Sequence, residues 1–247
     1  MRKNKIITRR NVIITGLTTI GGLILPGCAK KPPPTYGNIL RMGDAFTYHA
    51  QRALLPGQSL VKEYTTNDIS SFPAIGTTNP ADTSKSSFSK PYENIVRAGF
   101  KDYCLAIEGR VSKPGSYTLT DLQKFPARKQ ITRHTCEEGW SAIAEWTGVP
   151  LASILNSAGT LPSARFVNFY SYDGWVDSID LLDAFHPQTI LAYGMNGRDL
   201  PIPHGGPLRL RVETQLGYKS MKYLEKITVT DEFVDIGDIG WSWHAGI

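Results

Sequence analysis

Apolar and polar residues alternate most clearly between Tyr103 and Thr230, and there the pattern predicts short elements dominated by strands. Tyr103 to Val111 alternates as a strand, and Lys129 to Thr135 forms another that runs into Cys136. Arg165 to Tyr172 reads as a strand, as do the segments around Leu208, Leu210 and Val212 and around Ile227 and Val229. Ile190 to Met195 and Arg198 to Ile202 flank Asn196-Gly197, a hairpin signal. Helices are short. Thr120-Asp121-Leu122-Gln123 has capping-box spacing and starts a helix that Pro126 stops. Pro150 opens a helix with Leu151, Ile154 and Leu155 on one face and Gly159 as its stop, and Leu181 to Phe185 is a further short one. Without a Gly-rich βαβ fingerprint or an internal repeat, the expected class is α+β with mixed sheets.

Before Tyr103 the periodicity fades. Ser70 to Ser89 is rich in Ser, Thr, Pro and Gly and reads as loop, including Gly76-Thr77-Thr78-Asn79-Pro80. Tyr36 to about Asp68 reads as an extended arm with one short helix. The expected organisation is a leader over 1–27, a tether and arm over 28–72, a catalytic domain over 73–235 and a tail over 236–247.

Charge changes the picture mainly at the amino terminus. The net charge of +5 comes from Arg2, Lys3, Lys5, Arg9 and Arg10, and the remaining 22 bases match 22 acids. No basic stripe with interleaved aromatics occurs later in the chain, which excludes a nucleic-acid surface. Thr8-Arg9-Arg10-Asn11 before the apolar run Val12 to Leu25 reads as a twin-arginine export signal, too short to span a bilayer comfortably. Leu25-Pro26-Gly27-Cys28 resembles a lipobox, with Pro where a small residue is usual, and Lys30-Lys31-Pro32-Pro33-Pro34 reads as a stiff spacer. The expected location is periplasmic or extracytoplasmic, with membrane attachment only through the signal or a lipid on Cys28.

Cys136, in His134-Thr135-Cys136-Glu137-Glu138-Gly139-Trp140-Ser141, is the chemically informative thiol. A thiolate there can attack a substrate or hold a soft metal. His134, His186 and His204 are available as a base for a metal-free thiol hydrolase, and a buried structural Cys in an exported binding domain is the plainest alternative. Cys104 sits in a strand pattern and is expected to be a buried free thiol, without a disulfide. Pro203-His204-Gly205-Gly206-Pro207-Leu208-Arg209 and Gly217-Tyr218-Lys219-Ser220 put cations beside Gly-containing turns, which suits a buried phosphate or an electron-rich heterocycle.

In order and spacing these three motifs resemble the sulfite oxidase family of molybdopterin enzymes. The similarity is closest to its small bacterial periplasmic branch, which includes the catalytic subunit of the methionine sulfoxide reductase system, and it spans roughly Pro73 to Phe233. The resemblance implies a molybdenum–molybdopterin cofactor with Cys136 as the protein's thiolate ligand. It further implies that His204, Arg209, Gly217, Tyr218 and Lys219 bind the pterin and its phosphate. Asn79 and Ser171 match positions that contact the cofactor in relatives, and Lys222 is a secondary candidate. The implied activity is oxygen-atom transfer to or from a small-molecule oxo-acceptor or oxo-donor.

The chain departs from the larger relatives. No haem-attachment motif occurs, and no dimerisation domain is expected after Phe233. The expectation is therefore a monomeric catalytic subunit that exchanges electrons with a separate cytochrome or haem membrane subunit. Asp173-Gly174-Trp175 stands where sulfite oxidases place a substrate-facing Tyr, and no Arg lies beside Asn79. Arg133 could supply a cation toward sulfite, or point to solvent. Trp140, Tyr170, Tyr172 and Trp175 could line a less polar pocket, or simply pack.

Overall fold

Two sheets account for the strand patterns in this computed structural model, which describes residues 59–231 and, before them, only Phe46, Ala50, Ala53 and Leu54. The leader, Cys28 and its spacer, most of the arm and the tail lie outside the described residues.

The first sheet has β1 (Cys104–Gly109), β2 (Gly115–Thr118), β5 (Phe166–Ser171), β6 (Val176–Asp180) and β10 (Leu224–Thr230), in the order β2-β1-β10-β5-β6. β1 and β10 run parallel and the other pairs antiparallel, so the sheet is mixed. The second contains β3 (Arg128–Thr135), β4 (Ser141–Pro150), β7 (Ile190–Met195) and β8 (Arg198–Asp199) in that order, with β9 (Arg209–Arg211) also paired to β7. All of its pairs are antiparallel. The α+β expectation holds.

One large apolar cluster joins the sheets. Leu105, Ile107, Val167, Phe169, Ile227 and Val229 come from the first, and Val149, Leu191 and Leu210 from the second. β4 is not legible as a strand from sequence because nearly all of it is buried, so it shows no alternation. β2 and β6 carry no clear period-two pattern either.

The helices are α1 (Lys90–Arg97), α2 (Leu119–Gln123), α3 (Leu151–Ala158) and α4 (Leu181–Ala184). The α2 cap differs from the expectation: the reciprocal bonds join Thr118 to Asp121, two residues before the Thr120–Gln123 pair. The side chain of Asp121 reaches back to the Thr118 amide, which Gln123 is too late to do. Gly159 ends α3 in the left-handed region at φ 70°, as expected of a helix stop. The Asn196-Gly197 turn has φ of 51° and 72°, the twist a two-residue hairpin needs.

α1, which the sequence pattern does not announce, reaches the site. Ser89 caps it and Pro91 sits in its first turn. The buried Tyr92 hydroxyl donates to the Gly206 carbonyl, pinning the loop that carries His204 and Arg209.

The arm residues just before the loop lie along the edge of β3. Tyr64 N–H donates to the Ile131 carbonyl at 2.8 Å and Glu63 bridges Thr132. This covers an otherwise unpaired sheet edge. Cys104 is exposed at the start of β1, contrary to the expected burial: it is Tyr103 and Leu105 that point into the core there.

Candidate active site

Five segments far apart in sequence enclose a cavity of about 360 Å³. They are Phe72–Thr77, the end of β3 with its turn to β4, the β5–β6 turn, the loop from Pro203 to Arg209, and Gly217–Lys222. Its size falls in the range of small-ligand sites.

Cys136 opens the β3–β4 turn. Its amide donates to the Trp140 carbonyl at 2.9 Å, and the Gly139 amide returns to the Cys136 carbonyl at 3.1 Å. Gly139 sits at φ 91°, which the tight turn requires. The sulfur lies 3.6 Å from Glu137 Oε2 and 4.0 Å from Glu138 Oε2. Burial pushes the thiol up, and the two neighbouring carboxylates add to that. The thiol is therefore a poor nucleophile unless a metal displaces its proton.

His134 lies two residues before it on β3 and cannot serve as its base. Arg211 Nη1 donates to His134 Nδ1 at 2.7 Å. A guanidinium only donates, so Nδ1 must be the unprotonated nitrogen. Burial, with Arg211 and Arg209 close by, lowers this imidazole to about 2. His186 is elsewhere, with Nε2 3.1 Å from the Ser59 carbonyl. No histidine hydrogen-bonds to Cys136 among the described residues, which leaves the thiol-hydrolase reading without a dyad.

The same lining also carries cations. Arg209 is buried, its Nη1 and Nη2 donating to the His204 and Ser220 carbonyls at 2.9 and 2.7 Å. The guanidinium stacks 5.0 Å from the Trp146 ring centroid. Burial and Arg211 lower it to about 9, so it remains charged at neutral pH. Lys222 Nζ donates to the carbonyls of Ile75, at 2.8 Å, Thr77 and Pro203, strapping the Phe72–Thr77 segment to the loops beyond. Gly205 is required beside it: φ is 105°, and a Cβ would strike the Lys222 side chain at 2.9 Å. Phe72 packs against two further lining residues, its ring 5.1 Å from His134 and 5.6 Å from His204.

Of the positions singled out from sequence, Cys136, His204, Arg209, Gly217 and Tyr218 line the cavity, as does Lys222. Asn79, Ser171 and Lys219 do not. Asn79 Oδ1 accepts from the Ala81 amide at 3.0 Å, forming the turn before α1. Ser171 donates to Asp173, which does line the cavity. Lys219 Nζ turns away to Asp177 Oδ1 at 2.7 Å and the Ser178 carbonyl at 2.8 Å. Trp140 and Trp175 are lining residues, whereas Tyr172 packs on the main core and Tyr170 lies under Lys226. Arg133 is exposed, its Nε donating to the Tyr64 hydroxyl at 3.1 Å, and it is not a cavity residue. Sequence reasoning misses the lining role of Phe72 to Thr77, because a loop's path is set by where Lys222 holds it.

Among the described residues, no three His, Cys, Asp or Glu side chains are grouped to hold a metal ion. A metal at Cys136 therefore needs further ligands from an organic cofactor. The cavity suits one that carries sulfur ligands and an anionic group, because a soft thiol and the cations Arg209 and Lys222 share its lining. Arg209 Nε and Trp175 Nε1, on two of the lining residues, are buried N–H groups with no protein partner, which leaves donor capacity at the site unmet.

The model of the oxidoreductase molybdopterin-binding domain matches residues 92–235. The chain belongs to that family. It is a molybdenum-dependent oxidoreductase whose cofactor is molybdopterin, as the resemblance to sulfite oxidases implied. An Azospira oryzae protein with the provisional name protein-methionine-sulfoxide reductase subunit YedZ1 is 32% identical over 240 residues, 96% of this chain and 87% of that one. The protein-methionine-sulfoxide reductase catalytic subunit MsrP of Xanthomonas campestris is 28% identical over 241 residues, 90% of this chain and 68% of that one. The sulfane dehydrogenase SoxCD from Paracoccus pantotrophus matches with a TM-score of 0.51 at 26% identity, over 53% of this chain and 39% of that one. The shared fold is the sulfite-oxidase type.

Proposed function

We propose that this chain reduces sulfoxides, methionine sulfoxide among them, by oxygen-atom transfer at a molybdenum ligated by Cys136. The placement of Cys136 carries the reading: it lines a cavity that also carries carboxylates and cations, and no histidine hydrogen-bonds to it among the described residues. The substrate class follows the names of the relatives. In the overall reaction the S=O bond breaks, sulfur keeps an electron pair, and oxygen leaves as water after taking up two electrons and two protons.

When bound, the cofactor supplies the two-electron redox couple and the site that accepts oxygen. The protein's own residues do the rest. Cys136 supplies the thiolate. Arg209, Lys222 and His204 form the cationic lining for the pterin's anionic group, with Gly217 and Tyr218 closing on it. Asn79, Ser171 and Lys219 act from behind: Asn79 turns the chain into α1, Ser171 holds Asp173, and Lys219 tethers the Gly217–Lys219 turn to β6. Trp140 and Trp175 give the cavity apolar walls suited to a thioether product.

The location proposed is outside the cytoplasm, on the Arg9-Arg10 signal, with Cys28 as a lipid attachment point. Among the described residues no helix is long and apolar enough to cross a membrane. Electrons come from a separate haem-bearing membrane partner.

The test is metal and pterin analysis of protein from a molybdenum-replete host, with turnover of methionine sulfoxide by a reduced viologen dye. Near-stoichiometric molybdenum, lost in Cys136→Ala together with turnover, is expected. Wild-type protein without molybdenum, or Cys136→Ala with as much, overturns the ligand assignment. Faster sulfite oxidation than sulfoxide reduction overturns the substrate and direction.

A further inference from the structure

A buried polar chain ends at His134. Gln130 Nε2 donates to Glu213 Oε1 at 3.2 Å, and Glu213 holds Arg211 at both carboxylate oxygens, at 3.0 and 2.8 Å. Arg211 then donates to His134 Nδ1 at 2.7 Å and stacks 4.4 Å from the Trp146 ring centroid. Burying such a pair is weak evidence of a stability role, because desolvation offsets the attraction. What the chain does achieve is orientation. With Nδ1 accepting from a group that can only donate, the ring's proton sits on Nε2.

Nε2 makes no hydrogen bond among the described residues, yet it is not one of the fully buried atoms left without a partner. His134 lines the cavity, two residues from Cys136 and directly against Gly217. A Cβ on residue 217 would stand 2.5 Å from Nε2 and 2.7 Å from Cε1. Glycine there keeps any side chain from standing between the turn and this edge of the imidazole. The ring is also braced from the side by Phe72 and Trp140, with centroids at 5.1 and 5.5 Å.

We propose that His134 contacts the cofactor, its Nε2–H donating a hydrogen bond to an acceptor atom of the bound molybdopterin, with Arg211 and Glu213 fixing the ring for that purpose. A pterin fits the donor better than a transient substrate does. The imidazole is a mostly buried lining residue two positions before Cys136 and packs against Phe72, which also touches His204. The inference rests on the molybdopterin assignment and adds a residue to it.

The test uses full-length holoenzyme with His134→Leu and His134→Gln. Pterin and molybdenum per chain are measured after purification, together with the rate of pterin release on mild warming and the Mo(V) electron paramagnetic resonance spectrum. Leu is expected to release pterin about tenfold faster, the worth of one well-placed hydrogen bond, with an altered spectrum. Gln, which keeps an N–H donor, is expected to restore retention to within about threefold of wild type. Wild-type retention by Leu overturns the proposal, as does Gln losing pterin as fast as Leu. Pterin-free forms supply the folding control: a Leu form melting well below the wild-type pterin-free protein would make the role structural and also overturn it. Wild-type protein without pterin would instead overturn the proposed function itself.

Discussion

Lys219 Nζ lies 2.7 Å from Asp177 Oδ1, and both side chains are almost wholly buried. This lysine, placed by its motif among the cofactor-binding residues, spends its charge on a carboxylate of the neighbouring strand. Burial pushes Asp177 up and Lys219 down, and each restrains the other's shift. Lys219→Met should therefore destabilise the protein by about 3–5 kcal/mol, because it strands a buried carboxylate. Adding Asp177→Leu should recover most of the loss. Urea unfolding of the two variants checks this; equal destabilisation would show that the ion pair is not the cause.

Gly217→Ala should be damaging even though the position has no positive φ. The new methyl would meet His134 Nε2 at 2.5 Å and the Thr135 carbonyl at 3.3 Å, so the turn must shift. A cost of about 1–3 kcal/mol is expected from overpacking, with reduced molybdenum content. Gly197→Ala, with open space at its Cβ position but φ 72°, is the comparison: strain without collision, and full molybdenum.

The alkaline limit of stability should be set by buried phenols. Burial raises Tyr92, Tyr103, Tyr218 and Tyr223 above the usual tyrosine range and brings Tyr172 to about 12. An unfolded chain ionises from about pH 10, so between there and the folded-state values the native protein binds more protons. Their contribution is complete below about pH 10 and is lost as pH rises. Ultraviolet titration should show these tyrosinates appearing together with unfolding, and Tyr172→Phe should lower the slope of stability against pH by roughly one proton. Titration of all eleven tyrosines before unfolding would contradict it.

Glu137, Glu138 and Asp173 line the same cavity as Cys136, so an anionic substrate meets like charge at the reacting end. Glu137→Gln should raise kcat/KM for a carboxylate-bearing sulfoxide relative to a neutral one by about threefold at low salt, and less at high salt. An unchanged ratio at both salt concentrations would remove Glu137 from substrate selection.

The motifs around Cys136, His204 and Gly217 are enough to place the chain in its family, with the right fold class and cofactor. The alternation around Leu105 and Ile107 and around Val167 and Phe169 marks strands correctly, because one face of each packs on the core. β4 escapes for the opposite reason, being buried nearly throughout. The α2 cap lies two residues from its expected place because both Thr118-x-x-Asp121 and Thr120-x-x-Gln123 satisfy the spacing, and only backbone geometry separates them. His134 reads from sequence only as a candidate base for Cys136. Its real environment depends on Arg211, 77 residues away, and no local pattern reports that.

Local chemistry is written in the chain itself: which residues alternate, where Gly and Pro break the backbone, and which thiol ends a strand at a turn. These settle the α+β class and the family. Tertiary structure alone decides which cations face the cavity. Arg209 and Lys222 line it, while Lys219, equally a cation beside a Gly-containing turn, does not. The reason is pairing. A buried cation goes to whichever carboxylate or carbonyl the fold brings within hydrogen-bond distance, and that partner is set by strand register rather than by neighbours along the chain.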